Sequence, residues 1–129
     1  MNEGAVKSYR DLRVWQHAMD IAEECFGLTR SFPREEMFGM VSQIRRAASS
    51  IAANIAEGYG RDSSRTYVHF LRVAQGSLKE LETHLILSDR VKLAPPEGIQ
   101  SVLEKCDVLG RMLRSLIKSI ESNGERQPA

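Results

Sequence analysis

The three histidines are the residues best suited to hold a metal ion, but their spacing forms no metal site. A di-iron centre in a helical bundle needs Glu-x-x-His on two helices, so that a carboxylate and an imidazole project together into the core. The residues three positions before the histidines are Val14, Thr66 and Leu81, none of which is acidic. His69 and His84 fall on one predicted helix about 22 Å apart, which is too far to share an ion. The sequence therefore predicts no metal site.

Two short motifs match catalytic patterns without the partners that those patterns need. Ser115-Leu-Ile-Lys118 matches the S-x-x-K of serine acyl-enzymes, whereas the S-D-N and K-T-G motifs are absent. Gly58-Tyr-Gly60 matches part of a phosphate-binding loop, but no predicted strand precedes it and no G-K-[ST] ending follows. The sequence therefore predicts a protein that is not an enzyme and that uses no cofactor and no small-molecule substrate.

Cys25 and Cys106 fall within apolar stripes of predicted helices. Buried, reduced thiols explain this placement better than a disulfide or a reactive pair. The N-terminal residues contain no apolar segment of signal-peptide type, and no segment approaches the roughly twenty apolar residues of a membrane span. We expect a cytoplasmic protein that does not contact a membrane.

A basic cluster is the strongest candidate for a binding function. Its members are Arg45, Arg46, Arg61, Arg65, Arg72 and Lys79. Only Glu57 and Asp62 oppose them between Gln43 and Lys79, so this region carries a local charge of +4 (six minus two). Tyr59 and Tyr67 lie among the cations, and arginine interleaved with aromatic rings can hold phosphates and stack single-stranded bases. The five arginines are therefore the candidate nucleic-acid-binding residues.

The same cluster has a second interpretation, because the whole chain is nearly neutral. Eighteen basic and 17 acidic side chains give a formal charge of +1, which supplies no global attraction for a polyanion. Arg61 lies one helical turn from Glu57 and can pair with it. The other cations would then form a solvated face or ion pairs between subunits, which contribute little energy.

Helix-capping and helix-breaking residues, together with the period of the apolar residues, predict four helices, at about residues 11–31, 35–58, 63–89 and 96–122. No segment alternates as a strand does, so the fold class is all-α. Short loops between long amphipathic helices favour an antiparallel four-helix bundle of up-down-up-down topology, and residues 1–129 are expected to form one domain.

Particular residues are expected to cap these helices and to face the core. Asp11 is the predicted cap of the first helix, and Glu35 and Glu36 supply carboxylates at the start of the second. The first helix has the apolar stripe Leu12, Trp15, Met19, Ala22 and Phe26. Gly76 and Gly110 fall inside helices, where each costs about 1 kcal/mol relative to alanine unless a neighbouring backbone approaches closely. Gly110 shares a helical face with Leu103 and Ile117, so close packing is its expected purpose.

The second predicted helix is unusual because it carries little bulk on its core side or its flanks. Its small residues are Ala47, Ala48, Ser49, Ser50, Ala52, Ala53 and Ala56. Two partners can press against such a helix: the bundle, along Ile44, Ala48, Ile51 and Ile55, and a second subunit on the flank. Ser50, Asn54 and Glu57 are the candidate residues for subunit contacts and register, since Asn54 can make several hydrogen bonds at a helix crossing. The alternative is an alanine-rich, exposed helix in a monomer.

Several segments resemble a known bacterial family of four-helix bundle proteins, encoded by intervening sequences within large-subunit (23S) ribosomal RNA genes. The similar segments include D-L-x-V-W-Q from Asp11, F-P at Phe32, Q-I-R-R-A from Gln43, N-I-A-E-G from Asn54, and G-S-L-x-E-L-E from Gly76. They belong to a resemblance that spans about residues 11–121, in which the last helix matches only in its apolar rhythm.

This resemblance implies a homopentamer of bundles arranged as a barrel with a central channel. The family is also similar to the accessory variability proteins of diversity-generating retroelements, basic pentamers that bind nucleic acid and a reverse transcriptase. Arg45 and Arg46 match the family's paired basic positions. This chain departs from the accessory proteins in being nearly neutral.

Two functions remain open at this stage. One is a non-enzymatic homo-oligomer that binds RNA or DNA, a ribonucleoprotein, or a reverse-transcriptase-like protein through a basic surface repeated around the ring. The other is a protein-interaction scaffold whose arginines serve subunit contacts, for example Arg46 against Glu57 or Glu82 of a neighbour.

Overall fold

The structure, a computed structural model, describes residues 6–126, and the side chains as far as residue 123. Four α-helices form the chain: α1 (Arg13–Thr29), α2 (Met40–Tyr59), α3 (Ser64–Arg90) and α4 (Pro96–Arg126). Short 3-10 helices cover Tyr9–Asp11 and Arg34–Glu36. Residues 6–126 contain no strand, so the predicted all-α class is confirmed.

Each helix packs against two neighbours around one core, and consecutive helices are antiparallel. The α1 helix contacts α2 and α4, and α3 contacts α2 and α4, with the α2–α3 contact the most extensive. Ser50 of α2 meets Ser77 of α3, and Arg72 near the start of α3 meets Glu121 near the end of α4. Along each pair of contacting helices, higher residue numbers on one helix meet lower residue numbers on the other, as in an antiparallel bundle.

Glu24 joins α1 to α4 near the middle of the bundle. Its carboxylate accepts hydrogen bonds from Ser101 Oγ and from Lys105 Nζ, both at 2.6 Å. Burial acts to raise the pKa of Glu24, but the hydrogen bonds from Lys105 and Ser101 and the charge of Lys105 outweigh it, so the pKa lies below its ordinary value. The pair therefore holds α1 and α4 together with Glu24 ionised at neutral pH.

The core contains residues of α2, α3 and α4 that repeat at helical spacing, including the predicted stripe of the second helix. Ile44, Ala48, Ile51 and Ile55 of α2 are all 0% exposed. The buried positions of α3 and α4 include Leu71, Ala74, Leu78, Leu81, Leu85, Ile99, Val102, Cys106, Leu109 and Leu113. The four-and-three spacing of these residues keeps one face of each helix towards the centre.

The predicted core stripe of α1 is only partly right, since Leu12, Trp15 and Ala22 are half-buried against the core but are not its fully buried residues. The structure buries Val14, Ala18, Ile21, Cys25 and Thr29 instead. Met19 and Phe26 of the predicted stripe are 44% and 37% exposed. The helix therefore has two adjacent apolar faces, of which one is fully buried in the core and the other borders the core and is partly exposed.

Two predicted helix starts also differ from the structure. Asp11 belongs to the first 3-10 helix, where it forms a capping box with Ser8, and Leu12 precedes α1 without a side-chain cap. The second helix begins at Met40 rather than residue 35, because Gly39 has φ −111° and ψ −106°, outside the helical region. Ser63 caps α3, its Oγ accepting from the Thr66 amide at 3.0 Å.

The glycines divide into those that packing requires and those that it does not. Gly58 is buried against α3, and a Cβ there would lie 2.7 Å from Phe70 Cβ. A Cβ on Gly76 would meet nothing within 4 Å, and one on Gly110 would make only an ordinary contact with Leu78 at 3.6 Å. The expectation that close packing explains Gly110 is therefore wrong, and no close approach explains Gly76, whereas Gly58 is a packing residue.

Both cysteines are free thiols in the core, as predicted, and each is 0% exposed. Burial raises the pKa of Cys25 to about 12, with a smaller contribution from the charge of Glu24. Burial likewise raises the pKa of Cys106 to about 12. Neither thiol forms a reactive thiolate at neutral pH.

Because both thiols stay protonated in the folded protein, we expect the protein to lose stability at alkaline pH. An unfolded cysteine titrates near 8.5, so between pH 8 and 10 the unfolded chain releases protons that the folded chain keeps. We expect the free energy of unfolding to fall by about 2 kcal/mol per thiol over this range. Cys25→Ala should lose one of the two contributions. Urea unfolding under reducing conditions at pH 8 and 10 measures both, and an equal loss in the variant and in the wild type would contradict the assignment.

Candidate nucleic-acid and subunit interfaces

The side chain of Arg45, on α2, binds the C-terminal end of α1. Its Nε donates to Thr29 Oγ1 at 2.9 Å, its Nη2 donates to the carbonyl oxygen of Phe26 at 3.5 Å, and its guanidinium lies 4.6 Å from the centre of the Phe26 ring. A cation there meets the carbonyl oxygens and negative end of a helix dipole and the face of an aromatic ring. Arg45 thus joins α1 to α2, and little of its binding capacity remains for an external phosphate.

Three more members of the basic cluster have partners within the chain. Arg61 Nη2 lies 2.7 Å from Glu57 Oε2, the pairing that the second interpretation expected, and its guanidinium lies 5.1 Å from the centre of the Phe70 ring. Arg72 pairs with Glu121 at 2.8 Å. Lys79 pairs with Glu82 at 3.0 Å. All three cations are exposed, so water screens these pairs and a stronger anion can replace the carboxylate.

Arg46 and Arg65 are the cluster's cations without a partner among the described side chains, and both are exposed. Arg46 lies in the first half of α2. Arg65 lies at the start of α3, past the C-terminal end of α2. The thirteen residues from Arg46 to Tyr59 span about 20 Å of helix. The structure therefore separates the cluster into distinct surfaces instead of gathering it into one patch.

The two tyrosines among the cations face each other. The rings of Tyr59 and Tyr67 meet edge to face with centroids 6.0 Å apart. Tyr67 is half-buried, and burial together with Tyr59 raises its pKa to about 12. The two rings pack against one another at the end of α2 and do not form a flat stacking platform.

The candidate register residues act within one chain. Ser50 Oγ hydrogen-bonds to Ser77 Oγ of α3 at 2.8 Å, and Asn54 Nδ2 donates to the Ser50 carbonyl and hydroxyl oxygens at 2.8 and 3.0 Å. The Ser50–Ser77 bond aligns α2 with α3, and the Asn54 bonds fix Ser50 from within α2. Glu57 is occupied by Arg61. The three residues thus have intrachain partners, and the open small-residue surface of α2 lies on its other side.

That open surface forms an apolar groove between α1 and α2. On α1 it presents Trp15, Met19, Ala22 and Phe26, and on α2 it presents Ser49, Ala52, Ala53 and Ala56. The α1 residues are those of the stripe that was expected to face the core. The signal that reveals the groove is a second apolar stripe beside Val14, Ala18 and Ile21, since one bundle cannot bury both faces of a helix.

The described residues contain no group of three side chains able to hold a metal ion. None of the helices within residues 6–126 combines the length and the apolar character needed to cross a membrane.

The fold defines a class: an all-α protein of four helices. The sequence profile of the 23S rRNA-intervening sequence protein family matches residues 10–115. The chain therefore belongs to this family, as the resemblance of its sequence motifs implied.

A solved structure supports the same assignment. It is the 1.70 Å crystal structure of a protein of unknown function from the S23 ribosomal protein family of Bacteroides thetaiotaomicron. The two chains are 25% identical, with a TM-score of 0.73 over 81% of this chain and 98% of the other. No protein with a curated function matches the chain.

Neighbouring arginines of α2 are expected to differ sharply in their effect on stability. Arg45→Ala removes a charged hydrogen bond to Thr29 and the contact with Phe26, which we expect to cost about 1.5 kcal/mol. Arg46→Ala, the matched control on the next residue, should change stability by less than about 0.5 kcal/mol. Urea unfolding of both variants measures the difference, and equal stabilities would show that Arg45 does not join α1 to α2.

Proposed function

We propose that this protein is a non-enzymatic homo-oligomer that binds nucleic acid, or a ribonucleoprotein, through basic surfaces repeated around the assembly. The observation that carries the proposal is a set of exposed arginines, two without a carboxylate partner among the described side chains and two held only by exposed carboxylates. Arg46 and Arg65 have no partner among the described side chains, and Arg61 and Arg72 hold exposed carboxylates that a phosphate can displace.

The name of the family supports a connection with RNA, because its genes are linked to intervening sequences of 23S rRNA. Repetition strengthens the argument. A few cations in one subunit bind a phosphate chain weakly, but a ring of subunits presents the same cations many times to one strand, which raises the overall affinity. We take the pentamer that the family resemblance implies as the assembly.

The groove between α1 and α2 is the surface proposed to join the subunits. Met19 and Phe26 are exposed there beside Ser49, Ala53 and Ala56, whose short side chains let a second backbone approach closely. Contiguous apolar surface bordered by polar residues is typical of protein–protein contacts. A helix with two apolar faces is explained if the bundle covers one and a neighbouring subunit covers the other.

A protein-interaction scaffold is the second candidate, and one observation favours it. Phe38 is 94% exposed and Met37 is 54% exposed in the turn before α2. Exposed aromatic and thioether side chains act as anchors in protein contacts. In that case the partner is a protein, and the cations of α2 and α3 keep the protein soluble or contact neighbouring subunits.

Nucleic-acid binding is expected to depend steeply on salt. The affinity of a labelled single-stranded RNA, measured by fluorescence anisotropy between 50 and 400 mM salt in about twofold steps, should fall linearly on a double-logarithmic plot. Arg46→Gln with Arg65→Gln removes two phosphate contacts, so the slope should become shallower by about 1.4.

The control is Arg34→Gln with Arg90→Gln, which removes the same charge from exposed residues outside the cluster. It should leave the slope nearly unchanged. An absence of binding at the lowest salt, or an affinity that does not change with salt, would favour the scaffold.

Assembly is expected to depend on the groove between α1 and α2. Ala53→Glu places a carboxylate at this exposed helical position, where burial against an apolar neighbour would be costly. Light scattering should give a mass of several subunits for the wild type, about 70 kDa for a pentamer of 14.5 kDa chains, and 14.5 kDa for the variant. Gln100→Glu, exposed on α4, should keep the wild-type mass. A monomeric wild type, or an Ala53→Glu variant of unchanged mass, would contradict the assignment.

A further inference from the structure

A second basic surface lies between α3 and α4, away from the paired arginines of α2. It is a groove of about 520 Å³ whose rim carries Arg72 and Lys79 on α3 and Arg114 and Lys118 on α4. Glu121 is the acidic residue of the lining. The groove therefore has a charge of +3 (four minus one) on a chain whose total is +1.

These cations can exchange their partners for an external anion. Arg114 and Lys118 have no ion pair or hydrogen bond to any side chain in the part of the chain that the structure describes. Arg72 and Lys79 are paired with Glu121 and Glu82, but their side chains are 55% and 72% exposed. Exposed pairs of this kind contribute little stability, so a phosphate with a higher charge density can compete for the cations.

The floor of the groove is open because two glycines line it. Gly76 and Gly110 each lower helix stability by about 1 kcal/mol relative to alanine. Packing within the chain does not require either glycine, since a Cβ on Gly76 would meet nothing within 4 Å and one on Gly110 would make an ordinary contact. A side chain at position 76 would instead occupy the groove. The cost of these glycines is explained if something outside the chain lies over them.

The lining favours a phosphate chain over a protein helix. Leu78 and Ile117 are the apolar side chains of the groove, and they are already 1% and 3% exposed, so a docked helix would bury almost no further apolar surface. No exposed large apolar residue lines the groove within the described part of the chain. Protein contacts need such anchors, whereas a phosphate backbone needs only correctly placed cations.

We propose that the groove between α3 and α4 binds the sugar-phosphate backbone of a nucleic acid, without selecting its bases. This inference rests on the proposed function and names a different surface for it. Arg114 and Lys118, one turn apart on α4, contact phosphates directly. Arg72 and Lys79 exchange their carboxylate partners for phosphates, which completes the row of cations along the groove. The glycines allow the sugar-phosphate backbone to lie against the helices. No aromatic ring lines the groove within the described residues, so base stacking does not contribute there.

The first test removes charge from the groove. The full-length Arg114→Gln, Lys118→Gln double variant should bind a labelled mixed-sequence single-stranded RNA about tenfold more weakly at 50 mM salt than the wild type. Its salt slope should be shallower by about 1.4, the value expected for two lost phosphate contacts. The Arg34→Gln, Arg90→Gln variant removes the same charge elsewhere and should bind nearly as the wild type does. Equal weakening of RNA binding in the two double variants would mean that the RNA responds to the overall charge of the protein. That result would overturn the assignment of the binding site to the groove.

The second test fills the groove without changing charge. Gly76→Leu should melt at the same temperature as the wild type or higher, because the added side chain meets no atom within reach of its Cβ, and it should bind the RNA about tenfold more weakly. Gly27→Leu is the matched control, since Gly27 is also a helical glycine with nothing within 4 Å of its Cβ, outside this groove. Unchanged RNA binding by Gly76→Leu would overturn the inference. If Gly76→Leu does not fold, the charge-removal variant decides the question.

Two further outcomes separate this inference from the proposed function. If the wild type binds RNA, and Arg46→Gln with Arg65→Gln weakens binding while the groove variants do not, the proposed function stands and the groove is wrong. If the wild type binds no RNA at 50 mM salt, both the proposed function and the inference about the groove are wrong. Labelled polyglutamate is the probe for an acidic protein. Polyglutamate binding as tight as RNA binding, and equally sensitive to Gly76→Leu, would assign the groove to a protein and overturn the inference.

Discussion

The close crossing of α2 and α3 is the constraint on which the rest of the bundle depends. At Gly58 the two helices approach until a single Cβ would lie 2.7 Å from Phe70 Cβ. The hydrogen bond between Ser50 and Ser77 sets the register of the two helices, and Asn54 holds Ser50 from within α2. A helix with large side chains on this face could not pack so closely, because protein interiors leave no space for the extra volume. The small residues on the side of α2 that faces α3 are therefore a requirement of the single chain before any question of assembly arises.

The position of α2 explains why one of its two arginines is structural and the other is free. Packed between α1 and α3, α2 carries Arg45 to the end of α1, where carbonyl oxygens and the ring of Phe26 surround it. Arg46, one position further along the helix, faces solvent. Adjacent residues on a helix point about 100° apart, so two arginines that are equivalent in sequence have different environments. Charge in this protein is thus distributed by helix packing more than by the order of residues.

Two surfaces remain after the bundle has satisfied its own needs, and their chemistry differs. The groove between α1 and α2 is apolar and bordered by small residues, whereas the groove between α3 and α4 is cationic and has glycines in its lining. They lie between different pairs of helices, so one copy can contact a neighbour through the first and leave the second accessible. An assembly built in this way would present its cationic grooves repeatedly, and repetition multiplies weak contacts into a useful affinity.

The sequence alone determined the all-α class, the approximate limits of the helices, the core stripe of α2, and membership of the family. These features depend on local period, caps and short motifs, which can be read without knowing what lies nearby. Only the tertiary structure decided which of the two apolar stripes of α1 is fully buried, because both have helical period and the neighbouring helices choose between them. It also decided which cations are paired, since Arg72 meets Glu121 across 49 positions of sequence. The glycines illustrate the same limit: Gly58, Gly76 and Gly110 look alike in sequence, and only the distance to the opposite helix distinguishes the one that packing needs.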